Sequence, residues 1–293
     1  MSPSKTSRRY HVLVVLSVIL LFIGLGLWFY NDFASWYNQQ HQLQVISNYQ
    51  ETTNALDDDT VTDMIAAAQE FNADLPLEGG TVDLSAEMSE RYYNLLSVSP
   101  GSAMGYIEIP SISVSLPIYH GTDSAVLQTG AGHIPGSSLP VGGKGTHCAI
   151  SAHTGMASEK MFDDLDQMQV GDTFYLHVLD LTLAYQVDQI LTVEPDEIEA
   201  LEIDPNEDYC TLVTCTPYGQ NTHRLLVRGS RIALPDDSSM SSEGNNMPNY
   251  SPASEDFPIW PVVIIGIVLC GTTVLLVIYL RKNRQKKSSD NKP

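Results

Sequence analysis

The sequence predicts a mainly β external domain, a barrel or a sandwich, flanked by two transmembrane helices. Two long runs carry no charge, 19 residues at 12–30 and 22 residues at 259–280. From position 104 on, seven short runs suited to strands (MGYIEIP, ISVSLPIYHG, GTHCAISAH, DTFYLHV, LTLAYQVDQILTVEP, CTLVTC, RLLVRGSRI) alternate with Gly, Pro and Asp turn residues. Many short strands with few helices between them indicate a closed or double-layered β architecture.

The elements follow in order. Residues 1–11 form a short basic tail. At about 1.5 Å per residue, the run 12–30 is long enough to cross roughly 30 Å of hydrocarbon as a helix. Lys5, Arg8 and Arg9 before it also suit a cleaved signal peptide. The run exceeds an h-region of about 7–15 residues and no A-x-A site follows, so a retained signal anchor is the better reading. Residues 31–103 hold polar, helix-favouring sequence, one or two helices, with Thr60 and Asp63 marking a helix start and a connector that includes a candidate lid. The β domain occupies 104–235, and 158–169 (SEKMFDDLDQMQ) is the one clear helix expected inside it. Residues 236–258, rich in Ser, Asn, Asp and Pro, lack the apolar content to bury a core and read as a flexible linker. The second span, 259–280, leads into a basic tail, 281–293.

Nine of the 15 Lys and Arg residues lie in the two tails, which puts both termini in the cytoplasm and the middle of the chain outside a two-pass membrane protein. That middle, 31–258, holds six basic residues against 34 acidic ones, a net charge of −28. Such a surface repels nucleic acid phosphates. It also makes each external Arg worth explaining.

Three Cys lie outside the spans: Cys148, Cys210 and Cys215. External domains usually pair their Cys, and an odd number leaves at least one thiol over. Cys210 and Cys215 share one strand-like run, where five residues separate them by roughly 16 Å, too far for a bridge. Their odd offset puts them on opposite faces. Cys215 ends its strand before a Thr-Pro-Tyr-Gly turn, at a rim a substrate can reach. A nucleophilic Cys needs a cation or His to stabilise its thiolate. Arg224 returns towards Cys215 across that turn. The proton-transfer His is open on residues alone among His41, His120, His133, His147, His153, His177 and His223, with His153 slightly favoured by its rim position after CAISAH. No metal-ligand spacing is present and no cofactor is implied. The run Asp57-Asp58-Asp59 reads as a solvated acidic stretch.

The stretch TLVTCTPYGQNTHRLLVRG resembles the signature of the sortases, the cysteine transpeptidases of Gram-positive cell surfaces, most closely the class C, pilin-polymerising group. MGYIEIPSISVSLPIYHGT, GAGHIPGSSLPVGGKGTHCAISAHTG and FDDLDQMQVGD are similar to that family in the same order. The resemblance covers about residues 60–235 and implies an eight-stranded β-barrel with Cys215 as nucleophile, His153 as proton carrier and Arg224 as the active-site Arg. It implies substrates with an LPxTG-like sorting signal, on a pilin or surface protein, and an acceptor amine from a pilin Lys or, as the alternative, a cell-wall precursor. Thr214 and Thr222 are candidate substrate-binding or lid-contacting positions. Class C members carry a lid with an Asp-Pro-aromatic motif; here TVDLSAEMS offers Asp83 but neither the Pro nor the aromatic. The family fold sets the strands ending in His153 and Cys215 side by side and parallel. Cys148 and Cys210 each lie five residues earlier, so they are expected as a cross-strand pair, either a disulfide or two buried thiols. A thiol hydrolase of the papain kind would place the Cys before the His, the reverse of the order here. A non-catalytic adhesion module is the rival from outside the enzymes.

Overall fold

A computed structural model describes residues 5–77, 84–156, 160–197 and 199–234, and three more at 266, 271 and 272. The linker 236–258, nearly all of the run 259–280, the tail 281–293 and Asp83 lie outside the described residues. The chain divides into two compact units, Met1–Trp36 with Ala253–Pro293, and Tyr37–Pro252.

Helix α1 runs unbroken from Lys5 to Asn54. Among the described residues it is the one helix long and apolar enough to cross a membrane. Its part from Tyr37 on packs within the second unit, where Tyr49 donates a hydrogen bond to the Met104 carbonyl and accepts one from the Leu179 amide. The next helix, α2 (Asp58–Ala73), starts earlier than the Thr60–Asp63 pattern suggests. Asp57 is its N-cap, accepting from both the Thr60 amide and hydroxyl, and Asp58 and Asp59 place negative charge in the first turn. On its inner face Asn72 exchanges two hydrogen bonds with the Leu139 backbone, docking α2 on the barrel loop before β4. Helix α3 (Ala86–Asn94), capped by Ser85, buries Tyr92 completely.

The barrel is closed and eight-stranded, in the order β1-β2-β3-β4-β7-β8-β6-β5. Its strands are β1 (Gly105–Ile109), β2 (Val114–His120), β3 (Ala131–His133), β4 (Thr146–Ser151), β5 (Thr173–Val178), β6 (Leu181–Val193), β7 (Asp208–Thr216) and β8 (His223–Ile232). Two neighbouring pairs, β2–β3 and β4–β7, are parallel and the rest antiparallel. In β5 burial alternates residue by residue, with Phe174, Leu176 and Val178 inside. β4 and β7 are instead buried on both faces, as strands of a parallel pair usually are. Their outer face is covered by the 194–207 loop, which buries Leu201 and Ile203 and takes a hydrogen bond from His147 Nδ1 at the Glu202 carbonyl (2.8 Å).

Among the described residues of the expected helix at 158–169, which begin at Lys160, no α-helix forms. Residues 160–164 follow an irregular path and only Leu165–Gln167 make a short 3-10 turn. Met161, Phe162, Leu165 and Met168 are buried at helix-like spacing, which is what the sequence pattern reports. The backbone bonds go elsewhere: the Phe162 amide donates to the His153 carbonyl (3.0 Å), and Asp163 accepts from the Gly155 amide (2.6 Å).

A half-buried histidine makes the fold acid-sensitive. His120 lies edge-on to Tyr92, with ring centroids 5.1 Å apart, and its Nε2 donates to the Leu95 carbonyl (2.8 Å). Burial pushes its pKa from 6.5 down to about 4. Between these values the unfolded chain binds a proton that the folded chain does not, so the stabilisation is complete above 6.5 and is lost as the pH falls towards 4. Denaturant unfolding should show about 2–3 kcal/mol less stability from this group at pH 4.5 than at pH 7.5. His120→Gln should flatten the profile by that amount. An unchanged slope in the variant refutes the assignment.

Candidate active site

The site is built at the end of the barrel where β4 and β7 stop and β8 begins. Cys215 and Arg224 are direct partners in the antiparallel β7–β8 ladder. Their Cβ atoms are therefore about 4.5–5.5 Å apart on one face. That face is the outer one, because Cys210 and Leu212 of β7 and Leu225 and Val227 of β8 point into the core. Cys215 is partly exposed, whereas Cys148 and Cys210 are buried.

His153 reaches this place through the parallel β4–β7 register, which runs without a shift from Thr146↔Asp208 to Ser151↔Val213. The Ala152 amide continues the ladder to the Val213 carbonyl (3.2 Å). Two residues beyond Ser151, His153 therefore lies level with Cys215. Thr214 then fixes the turn-off: its buried hydroxyl donates to the Ala152 carbonyl at 2.8 Å. One hydrogen bond joins the residue before the His to the residue before the Cys.

Thr214 is thus not available to bind substrate or a lid, since its side chain is only 4% exposed and its hydroxyl is engaged. Thr222 is exposed and shares a 2.8 Å hydrogen bond with His223 Nδ1. His223 pairs through Nε2 with Glu194 (3.2 Å), on the opposite strand face from Arg224. Cys148 and Cys210 are direct cross-strand partners on β4 and β7 and are both free thiols, not a disulfide.

Arg224 sits against backbone, donating from Nη1 to the carbonyls of His223 (3.1 Å) and Asn221 (3.4 Å). Arg91 and Arg228 are each held by carboxylates. Among the described residues no carboxylate pairs with Arg224, even though residues 31–258 carry 34 acidic side chains. A guanidinium left in this way can take a developing negative charge beside the thiol. Further back along β4, burial pushes the His147 imidazole below its ordinary range, with Nδ1 donating to the Glu202 carbonyl and Nε2 accepting from the Thr211 hydroxyl (2.7 Å).

Two contributions escape sequence reasoning. One is the inward role of Thr214, which the sequence offers as a substrate or lid contact and whose hydroxyl instead bonds the Ala152 carbonyl. The other is Tyr218, an exposed ring in the β7–β8 turn that lies over Gly155; a Cβ there would come within 3.3 Å of the ring. Gly155 also has φ +82°, a conformation that favours glycine. The adjacent SAHTG and TPYG turns are the only trace of this contact in the sequence.

Comparison with known proteins gives a consistent picture. A family model described as the sortase domain matches residues 107–232. Sortase A of Bacillus anthracis is 29% identical over 136 residues, 46% of this chain and 63% of that protein. The chain thus spans less than two thirds of that relative's length. The crystal structure of sortase C1 from Streptococcus agalactiae matches with a TM-score of 0.64 and 44% identity over 66% of this chain and 100% of that one. Sortase C of Streptococcus pneumoniae matches with a TM-score of 0.59 and 46% identity over 65% of this chain and 97% of that one. Identity at this level along the whole of a solved sortase, on the same closed barrel, means that the chain belongs to the sortase family of cysteine transpeptidases.

Proposed function

We propose that this chain is a membrane-anchored, class C-type sortase that joins pilin subunits. The observation that carries the reading is the convergence of Cys215, Arg224 and His153 at one barrel end, two of them facing partners and the third level with them. The Cys215 thiolate attacks the Thr carbonyl of an LPxTG-like sorting signal. Arg224 balances the charge that develops on the carbonyl oxygen, and His153 protonates the leaving Gly amine. A thioester remains on Cys215. The acceptor amine, a pilin Lys, attacks it after giving its proton to His153, and an isopeptide bond replaces the thioester.

The pilin acceptor is favoured over a cell-wall precursor by similarity. Identity is 37–46% to the sortase C structures, 39% to a Corynebacterium diphtheriae sortase A structure and 29% to the B. anthracis sortase A. The S. pneumoniae structure is described as informative on pilin substrate specificity. Membrane anchoring is supported by the exposed apolar side chains of α1, among them Leu20, Ile23, Leu27 and Trp28, which demand a non-aqueous neighbour. With 259–280 as a second span, both termini are cytoplasmic and the barrel faces outside. Substrates anchored in the same bilayer then meet the enzyme at raised effective concentration.

Intact-mass spectrometry tests the chemistry. The wild-type chain with an LPxTG peptide should gain an acyl adduct that an added amine removes, and Cys215→Ala should gain none. An adduct that survives in Cys215→Ala would sink the assignment. Thr214→Val should lower kcat about tenfold to a hundredfold with KM nearly unchanged, because the Ala152 carbonyl loses its partner and His153 its placement. Thr214→Ser should restore most of the rate; equal rates in all three proteins would remove Thr214 from the site. A chain cut to residues 37–235 should still cleave peptide yet polymerise pilin poorly in cells, whereas full polymerisation by the cut chain argues against the anchoring role.

A further inference from the structure

The β4–β7 register that aligns His153 with Cys215 also aligns Cys148 with Cys210, five residues back on each strand. Both thiols point into the barrel core, 2% and 0% exposed, and both are free. Partners on adjacent strands have Cα atoms about 4.8 Å apart, inside the roughly 4.4–6.8 Å that a disulfide spans. A bond between them therefore needs no change in strand pairing.

The surroundings are unusual for core cysteines. The two thiols face each other across the β4–β7 ladder, and Cys148 also feels the His133 imidazole of β3. His133 is itself wholly buried and held at both ring nitrogens: Nε2 donates to the Ser138 carbonyl (2.8 Å) and Nδ1 lies 2.9 Å from the Tyr92 hydroxyl. Burial raises the Cys148 thiol, but its neighbours Cys210 and His133 favour a charge there and draw it below its ordinary value. Burial and the neighbouring sulfur push Cys210 well up. Cys148 is thus the sulfur more inclined to lose its proton and Cys210 the one more inclined to keep it, the order of roles that dithiol oxidation uses.

We propose that Cys148 and Cys210 are a redox modification site, a core dithiol that a hydroperoxide closes to a disulfide between β4 and β7. The Cys148 thiolate attacks the peroxide, the O–O bond breaks, and Cys148 becomes a sulfenic acid while the departing oxide takes a proton from solvent. The Cys210 sulfur then attacks that sulfenic acid. The S–O bond breaks, and hydroxide leaves with the Cys210 proton as water. Two thiols lose two electrons in total and one hydroperoxide is reduced. Hydrogen peroxide is close to water in size and reaches the pair through ordinary local opening of the barrel. Cys215 cannot resolve the intermediate, since it lies roughly 16 Å along β7 on the opposite face. The bond would staple together the two strands that carry the active site.

The test uses the full-length chain in detergent with Cys215→Ala, so that the reactive outer thiol is absent. After hydrogen peroxide and quenching, free thiols are blocked with maleimide under denaturing conditions and the protein is digested without reduction. The expected result is one linked peptide containing Cys148 and Cys210, two hydrogens lighter than the separate peptides and released by dithiothreitol. Adding Cys210→Ala should replace the link with a dimedone-trapped sulfenic acid at Cys148; if that variant does not fold, the linked peptide alone decides. Recovery of both cysteines as maleimide adducts, over-oxidation without a link, or a link from either to Cys270, the fourth cysteine of the chain and part of the run 259–280, would each overturn the proposal.

Discussion

The whole site depends on the parallel register between β4 and β7. Parallel strands cannot be joined by a tight turn, so the chain must leave β4, build β5 and β6, and return before β7 can pair. Only the finished barrel brings positions 62 residues apart to the same level. A slip of one residue would reverse both faces of β7, turning Cys215 inward and Cys210 out. The fold resists that slip because Cys210, Leu212 and Thr214 are fitted to the core while His147 and Thr211 are bonded together on the outside. Packing on one face and a polar network on the other hold the same alignment.

Charge is organised as carefully as register. In a segment dense with carboxylates, an unpaired guanidinium next to the thiol is costly to keep free, because nearby Asp and Glu compete for it. The structure keeps Arg224 available by pinning one nitrogen to the carbonyls of His223 and Asn221. Meanwhile Glu194, the nearest acid at the end of β6, is occupied by His223. Val193 is the β6 partner of Arg224, so without His223 the Glu194 carboxylate would be one residue from it. His223 thus serves as the local counter-group that leaves Arg224 unclaimed.

Much of this was legible in the sequence, for physical reasons that differ by element. The strands were readable because alternation and turn residues are local, and the Cys215–Arg224 approach followed from one loop of fixed length. The three-residue β3 was not, since Ala131–His133 is too short for any period and pairs only because β2 and β4 flank it. The spacing of Met161, Phe162, Leu165 and Met168 did report which side chains are buried. It could not report that the backbone there bonds to the His153 loop instead of to itself. Selecting His153 among seven candidates needed the register across 62 residues, which lies beyond local pattern and came only with family resemblance. Thr214 read as a substrate contact because the sequence shows its place beside Cys215 but not which way a strand-end hydroxyl points.

The two sulfurs of β7 carry this last point further. Cys210 and Cys215 differ by five residues, an odd number, so the pleat assigns them opposite environments whatever their neighbours are. The strand has run almost to its end by Cys215, and its outer face there is no longer covered by the 194–207 loop, whose buried Leu201 and bonded Glu202 lie over His147 and Thr211. Cys215 thereby gains access to solvent together with a cation directly across the ladder. Cys210 gains a closed core and another thiol across the opposite ladder. A single strand, paired on one side with β4 and on the other with β8, gives two cysteines different chemistry through alternation alone. The outer thiol is suited to meeting a substrate, and the inner one to meeting its twin.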